Sequence, residues 1–345
     1  MLTDIFAERY KQTPLWTIFT TTEQRLLVQM YRLFSEQLCR FNDSNKGLWS
    51  EVQSRLSMEL GQASLSPLTY NFMGTWNGQP HHYYGSWGID DVCKAWFLQD
   101  FGGSDQPDRF MKERISFIEL AFRLVEERIA TNNANLPAAI GEMDDFFSTR
   151  SARSGKPRIP GNYSDEIRAQ NEKMNKDFRE AVAELNTRLR QAQRQLHYHN
   201  AFIQISEDQT VAREIETPFW KLVAEPKWLN VDHDMKEAID LRDTGGRDPA
   251  LYAARSLESA IKIISGEKRL TRGSEKGASN YIDNLVGAKL IEVWEMEALK
   301  HFFTKVRNPF GHGPGAAPMP SLTDHQTSWA IENSMIWIKS LIRRM

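Results

Sequence analysis

Apolar residues at helical spacing alternate with polar and irregular stretches over the first half of the chain. They recur at intervals of three and four over residues 22–41 and again over residues 108–130, which predicts two amphipathic helices. Between them, residues 61–90 are interrupted by Gly, Pro and aromatic residues, so we expect a long irregular connection there. His81 and His82 in this connection are expected at the surface, since no nearby carboxylate pattern completes a metal site.

The middle of the chain combines a basic segment, a charged helix and two short apolar runs. Residues 149–162 are rich in Ser, Gly, Arg and Pro and predict a loop or flexible connector, which is either simply solvated or contacts an RNA backbone. A long charged helix is predicted over residues 164–195. Residues 197–206 and 210–216 then have the pattern of a β-hairpin around a polar turn at 207–209.

The last third of the chain has the pattern of a helical bundle. One helix has a strong start signal, because Asp248 occupies its N-cap position and Pro249 its first position. Thr323 and Gln326 resemble a capping box at the start of the closing helix. The other boundaries follow from apolar spacing, and the predicted helices cover residues 227–243, 249–265 and 279–307. Together the patterns predict a mainly α fold with an N-terminal region at 1–195, a hairpin and connector at 196–226 and a bundle at 227–345.

The composition is that of an ordinary globular chain, with 26% charged and 41% hydrophobic residues. We expect a cytoplasmic protein without a membrane anchor, because no run of eighteen apolar residues and no apolar signal core occurs. Cys39 and Cys93 are too few for a disulfide framework or a zinc site and are expected to be buried. From residue 249 onward, 13 Lys and Arg stand against 9 Asp and Glu, a balance that permits contact with nucleic acid.

The candidate chemistry lies in a short motif near the end of the chain, Arg307-Asn308-Pro309-Phe310-Gly311-His312. Pro309 is expected to push Asn308 out of the α region and to end the helix, which would let Arg307 and His312 converge. An Arg that neutralises charge and a His that titrates near neutrality suit a phosphoryl group. The alternative is that Arg307 caps a helix C-terminus and that His312 is an exposed loop residue.

The same spacing occurs a second time in the chain, between Arg194 and His199. This second pair falls where the charged helix gives way to a predicted strand. We therefore interpret it as a chance match, and the surroundings of Arg307 have to distinguish the two.

Those surroundings resemble the HEPN superfamily (higher eukaryotes and prokaryotes nucleotide-binding domains). An apolar helix from Asp248 to Lys262, a charged loop, a second apolar helix, the Arg-Asn-(three residues)-His motif and a closing helix follow in the order that is typical of its ribonucleases. The whole chain also resembles abortive-infection proteins of the AbiJ kind, which place a variable helical region before a C-terminal HEPN domain. The stretch from Asp108 to Glu119 is similar to such N-terminal regions.

The resemblance implies a metal-independent RNA endonuclease that needs no cofactor and acts as a homodimer through its HEPN domain. RNA carries its own nucleophile, the 2′-hydroxyl group. His312 would transfer a proton, and Arg307 would stabilise the charge of the transition state, so that cleavage leaves a 2′,3′-cyclic phosphate. Asn308 would either orient the phosphate or His312, or simply satisfy the backbone before Pro309.

Four further residues are candidates for support or substrate binding. Arg255, Glu258 and Lys262 fall on one helix face at spacings of three and four. Glu258 and Lys262 form either a plain surface ion pair, or a pair in which Glu258 orients Arg307 as the resemblance implies. Lys305, one turn from the motif, is either a phosphate contact or a solvated lysine.

We therefore expect an antiviral abortive-infection or toxin-type effector that cleaves RNA, with tRNA among its candidate substrates. The N-terminal region, which lacks catalytic signals, is a candidate sensor or inhibitor. A phage-derived trigger or a separate antitoxin would be the protein's regulatory partner. The alternative function is a non-catalytic HEPN scaffold that binds nucleotide, RNA or a partner protein.

Overall fold

The computed structural model is mainly helical, which confirms the predicted fold class. It describes residues 5–102, 106–154, 163–206, 209–311 and 321–345. No helix in these ranges is long and apolar enough to cross a membrane. The buried apolar residues in the same ranges form two clusters, one from Ile5 to Ile203 and the other from Phe219 to Leu341.

The first cluster is organised by two long antiparallel helices, α5 and α6. Hydrogen bonds from Asn133 to Asn175 and from Ser164 to Asp144 show that the two helices run in opposite directions. The elements of this half are α1 (Phe6–Arg9), α2 (Thr21–Arg32) with a π-helical continuation (Leu33–Leu38), α3 (Lys46–Glu59), β1 (Thr69–Trp76), β2 (Gln79–Ser86), α4 (Ile89–Phe97), α5 (Pro107–Ser154), α6 (Tyr163–Gln191), β3 (Leu196–His199) and β4 (Phe202–Ile205).

The beginning of α5 is buried on every side, since all residues from Phe110 to Val125 are buried. A helix enclosed in this way is usually apolar all round, yet this one carries six charged or polar residues. Each needs a partner, because an unpaired buried polar group is costly. Lys112, for example, donates to the carbonyl oxygens of Tyr10 and Thr13 at 2.7 Å. These bonds tie the N-terminal segment to α5.

The prediction of an irregular connection over residues 61–90 is wrong, because β1 and β2 form an antiparallel hairpin there. Asn77 and Gly78 make its two-residue turn with φ of 49° and 76°, the left-handed conformation that a twisted hairpin requires. Both faces of the hairpin are largely exposed. The sequence therefore lacks the alternation of apolar and polar residues that indicates a half-buried strand.

The predicted hairpin exists, but both of its strands lie within residues 196–205 rather than in 197–206 and 210–216. β3 pairs with β4 around Asn200 and Ala201, and this register brings Tyr198 opposite Ile203 in the first cluster. Residues 210–216, predicted as the second strand, are helical. β3 pairs with β4, the next element in the chain, and therefore not with residues 210–216.

Two further boundaries differ from the prediction. Residues 149–162 were predicted to form a loop or connector, but α5 continues through the first of them to Ser154. Residues 155–162 lie outside the described residues. Asp248 stands at the N-cap of helix α10 (Pro249–Glu267), but its side chain makes no capping hydrogen bond. Its φ of 57° is left-handed, unlike the extended backbone of a usual N-cap, and its carboxylate pairs with Arg247 at 3.3 Å.

The second cluster surrounds α10, which packs against α9, α11 and α14. The capping box of α14 is confirmed: the Thr323 hydroxyl accepts from the Gln326 amide, and the Gln326 side chain accepts from the Thr323 amide. The elements of this half are α7 (Gln209–Val211) with a π turn (Ala212–Glu216), α8 (Thr217–Leu222), a 3-10 turn (Pro226–Trp228), α9 (Leu229–Asp243), α10 (Pro249–Glu267), α11 (Ala278–Gly287), α12 (Val293–Phe302) with a π turn (Phe303–Arg307), α13 (Asn308–Gly311) and α14 (Asp324–Ile342).

A buried carboxylate, Glu119 of α5, holds three parts of the chain together. It accepts hydrogen bonds from both terminal nitrogens of Arg9, at 2.9 and 2.5 Å, and from Arg123 at 3.0 Å. The backbone N–H of Ile203 in β4 donates a fourth hydrogen bond at 2.7 Å. The charge of Glu119 is thus fully compensated although its side chain is inaccessible to solvent.

Arg9 extends this network from the first cluster into the second. Its Nε lies 3.1 Å from Asp240 of α9, which also accepts hydrogen bonds from the Tyr10 hydroxyl and the Gln204 amide. Burial by itself would lower the pKa of Arg9, but Glu119 and Asp240 raise it above its usual value. Arg9 therefore stays charged between the clusters.

A second ion pair and an aromatic ring complete this contact. Lys236 of α9 pairs with Asp232 at 2.5 Å. The ring of Phe202 has the cationic groups of Arg9, Arg123 and Lys236 at 4.6, 4.8 and 4.6 Å from its centroid. Cations near the face of an aromatic ring gain electrostatic attraction from it. Hairpin β3–β4 is therefore the joint that fastens α9 to the N-terminal helices.

We predict that Glu119→Ala lowers the free energy of unfolding by about 3–5 kcal/mol, because it leaves Arg9 and Arg123 buried without their shared carboxylate. Urea unfolding of the purified protein measures this change. Glu127→Ala on the same helix is the control, since Glu127 is exposed and its loss should cost less than about 0.5 kcal/mol. Equal losses in the two variants would contradict the assigned role of Glu119.

We also predict that the fold loses stability as the pH falls from about 6.5 to about 4. Burial lowers the pKa of His197 to about 4, and burial together with Lys236 lowers the pKa of His199 well below its usual value. In the unfolded chain these histidines take up protons near pH 6.5, whereas in the folded chain they stay neutral to a lower pH. Acid therefore stabilises the unfolded chain relative to the folded one.

For His197 alone, this shift corresponds to about 2 kcal/mol lost between pH 7 and pH 5. Chemical denaturation at the two pH values measures the loss, and His197→Gln should reduce it. His301→Gln, at an exposed position, should leave it unchanged. A stability that is flat between pH 7 and pH 5 would show that these imidazoles are not buried in their neutral form.

Candidate active site

Arg307 lies at the end of a π turn that separates α12 from α13. Phe303 and Val306 of this turn are buried in the second cluster, so they fix the turn against α10. The N–H of Asn308 donates to the carbonyl oxygen of Phe303, five residues earlier rather than four. Such wide turns inside helices are rare and are frequent at functional sites.

The predicted end of the helix at Pro309 is wrong. Asn308 has φ of −65° and ψ of −39°, which is right-handed helical backbone, and α13 continues to Gly311. A proline inside a helix normally clashes with the carbonyl group four residues earlier. The wide π turn immediately before Pro309 changes the spacing of these carbonyl groups, so the chain accommodates the proline without leaving the helix.

Glu258 of α10 brings two cationic side chains together. One of its oxygens lies 3.4 Å from a terminal nitrogen of Arg307, and the other lies 2.8 Å from Lys262. The Glu258 side chain is only 12% exposed, while that of Arg307 is 31% exposed. Glu258 therefore takes part in both predicted contacts, the helical ion pair with Lys262 and the contact with Arg307.

The guanidinium of Arg307 has hydrogen-bonding capacity left over. Its Nε is buried and has no hydrogen-bond partner among the described residues. The Nη2 contact with Glu258 leaves other donors on the partly exposed group, and an Arg presents five donors in a planar fork. Arg307 and Lys262 thus form a small cationic surface around a nearly buried carboxylate, which suits an anionic ligand.

The structure places the other candidate residues differently. Arg255 is paired with Asp234 of α9 at 3.4 Å and lies over the Tyr252 ring at 5.1 Å, so it turns away from Glu258. Lys305 and Asn308 are exposed beside the motif. His312 lies outside the described residues. The structure therefore brings together Arg307, Glu258 and Lys262, and leaves the predicted approach of His312 to Arg307 as a prediction.

The second Arg–His pair is occupied with structural contacts. Arg194 forms an ion pair with the buried Glu23 of α2. His199 is buried and stacks on Trp220 with 3.8 Å between ring centroids. The two side chains belong to different contacts, which agrees with the interpretation of their spacing as chance.

A polar cleft between α9 and α10 was not found from the sequence. It has a volume of about 410 Å³ and includes His233, Asp234, Arg255 and Ser259 in its lining. Burial raises the pKa of Asp234, while Arg255 and His233 act in the opposite direction. In the sequence, the α9 residues look like an ordinary solvated helix face, so only the packing of the two helices shows the cleft. Among the described residues, no group of three or more His, Cys, Asp or Glu is placed to hold a metal ion.

The comparison with known families concerns the first part of the chain. The model of the family described as AbiJ N-terminal domain 4 matches residues 4–221, from α1 through most of α8. Glu119 and both hairpins lie within the matched segment, whereas Glu258 and Arg307 lie beyond it. The chain matches no curated protein and no solved structure. Because the match covers more than half of the chain, the chain belongs to the AbiJ N-terminal domain 4 family, and through it to the AbiJ-like abortive-infection proteins.

Proposed function

We propose that this abortive-infection protein is a metal-independent RNA endonuclease whose active site contains Arg307, Glu258 and Lys262, with His312 as the proton-transfer group. The observation that supports it most is the contact of Arg307 with the nearly buried Glu258 at 3.4 Å, on a π turn that two buried side chains anchor. RNA is the proposed partner, and two chains that join through the C-terminal bundle would form the active enzyme.

Each residue has a distinct part in this mechanism. Arg307 donates to the phosphoryl oxygens as they gain negative charge, an effect that is strongest when the donor is already oriented. Glu258 supplies that orientation from α10. Lys262 adds a second positive charge beside it, and His312 removes the 2′-hydroxyl proton or protonates the departing 5′-oxygen. Asn308, which is exposed next to Arg307, would contact the same phosphate.

We predict that Arg307→Ala and His312→Ala each reduce RNA cleavage by about 10²-fold or more, since each removes a transition-state contact or a proton-transfer group. The measurement is cleavage of total tRNA and of single-stranded RNA in the presence of EDTA, with analysis of the fragment ends. Lys276→Ala is the control, because Lys276 is an exposed cation in the same half of the chain but outside the motif.

Cleavage that leaves 2′,3′-cyclic phosphate ends in the wild type and in Lys276→Ala alone would support the proposal. Cleavage that persists in His312→Ala would contradict it. An equal RNA affinity of wild type and His312→Ala, with no cleavage by either, would favour the alternative of a non-catalytic RNA-binding scaffold.

We predict that Glu258→Gln lowers the maximal cleavage rate about ten-fold and changes the RNA affinity little. Glutamine keeps the shape of the side chain but lacks the negative charge that orients Arg307. Single-turnover kinetics at saturating RNA measure the rate, and filter binding measures the affinity. Glu267→Gln, at the end of the same helix and paired with exposed Lys227, should behave as wild type. An unchanged rate in Glu258→Gln would assign Glu258 to the surface ion pair alone.

A further inference from the structure

The hairpin β1–β2 lies in the longest uncharged segment of the chain. Residues 60–89 contain no Asp, Glu, Lys or Arg, although 26% of the whole chain is charged. The segment instead holds three of the nine Tyr residues and two of the ten Trp residues of the chain. Depletion of charge together with enrichment of these residue types distinguishes the centres of protein–protein interfaces from the rest of a protein surface.

One face of the hairpin is a preformed aromatic surface. Tyr83 stacks on Phe72 with 5.3 Å between ring centroids and contacts His81 edge-on at 4.7 Å. A Cβ atom added at Gly74 would lie 2.9 Å from the Tyr83 ring, so this ring lies flat over the glycine. The rings are thus held in place before any partner arrives, which lowers the entropic cost of binding.

The hairpin has no cover within the described residues. Neither strand packs extensively against a described helix, and both faces are largely exposed. Met73 is 66% exposed and Tyr84 is 76% exposed. An isolated two-stranded hairpin is only marginally stable in water, so further strands or a packing partner would stabilise it.

The two edges of the hairpin differ in how they are protected. The Trp87 amide donates a hydrogen bond to the Leu68 carbonyl, so in β1 the backbone N–H and C=O groups of even-numbered residues face β2. Those of Asn71, Met73 and Thr75 therefore point away from β2, toward the free edge. On β2 the corresponding outward position holds Pro80, which has no N–H group. Soluble proteins usually protect an edge with charges or proline. β2 has that protection near the turn. β1 has neither a charge nor a proline, although its Thr75 carbonyl oxygen accepts a hydrogen bond from the Tyr83 hydroxyl at 3.3 Å, which leaves that oxygen a second lone pair.

We infer that β1 pairs with β1 of a second copy of the chain, with Met73 on the two-fold axis, so that two hairpins form one four-stranded antiparallel sheet. A symmetric interface sets the same surface against itself, and an uncharged strand does so without repulsion between like charges. In this register residues 70–76 of β1 pair with the same residues of the other copy, and Phe72 of each copy faces Gly74 of the other. If Asn71 lay on the two-fold axis instead, Pro67 would face Thr75 of the other copy. Because proline has no N–H group, one backbone hydrogen bond would be lost.

RNA fits this surface poorly, because binding to a phosphate backbone depends on Lys and Arg, and the segment has neither. A strand of a foreign protein would use the same edge and is an outcome of the test. The inference is independent of the proposed nuclease, since it rests on β1 and β2 and on no residue of the Arg307 site.

The test is disulfide cross-linking of the full-length protein with single cysteines. Met73→Cys should form linked dimers, because the Cα atoms of a hydrogen-bonded antiparallel pair lie about 5.5 Å apart, within disulfide range. Thr75→Cys is the register control, since its two copies would be about 13 Å apart. Tyr84→Cys is the exposure control on β2. The native Cys39 and Cys93 are buried and should not react.

We expect Met73→Cys to cross-link about ten-fold faster than either control, because only that pair meets disulfide geometry. In sedimentation velocity, Met73→Lys should lower the average mass relative to wild type because it removes the β1 contact, while a dimer through the C-terminal bundle would persist. Tyr84→Lys should leave the mass unchanged, since only residue 73 faces its own copy. Thermal unfolding confirms that each variant is folded. Equal cross-linking in all three cysteine variants, or a mass that Met73→Lys leaves unchanged, would overturn the inference and leave β1 free for a foreign strand.

Discussion

The fold depends on the compensation of one buried negative charge. Glu119 lies inside a helix that is enclosed on all sides, and a carboxylate there is tolerable only with several donors. Two arginines and the amide of Ile203 supply them. This requirement draws the N-terminal segment and hairpin β3–β4 onto α5, and Arg9 then reaches Asp240 of α9. The two hydrophobic clusters are therefore joined through paired charges rather than through a continuous apolar core.

The candidate active site follows from that joint by a short series of contacts. α9 is held on one side by the ion network, and on another side the hydroxyl of Ser256 in α10 donates to the carbonyl of Val231 at 2.7 Å. α10 in turn carries Glu258, which contacts Arg307. A rearrangement in the family-matched N-terminal region therefore has a physical route to Arg307 through packed helices and paired charges.

Much of the helical architecture could be predicted, and the errors share a cause. Helices such as α5 and α10 bury one stripe or more, so apolar spacing reveals them. Hairpin β1–β2 buries neither face and leaves no such pattern, although Asn77 and Gly78 are a typical turn pair. At Pro309 a local rule predicted a helix end, but the π turn that Phe303 and Val306 anchor in the core accommodates the proline. Packing overrode a local preference there.

The sequence by itself determined the mainly helical fold, the start of the closing helix at Thr323 and the residue types of the candidate motif, because these depend on contacts between near neighbours in the chain. Only the tertiary structure decided that Glu258 contacts Arg307 while Arg255 turns to Asp234, and that Glu119 joins three separate segments. The residues that meet in these contacts lie tens to more than a hundred positions apart in the chain and belong to different secondary-structure elements. Which of several available charges meet is decided by how the helices pack, and spacing along the chain carries no information about it.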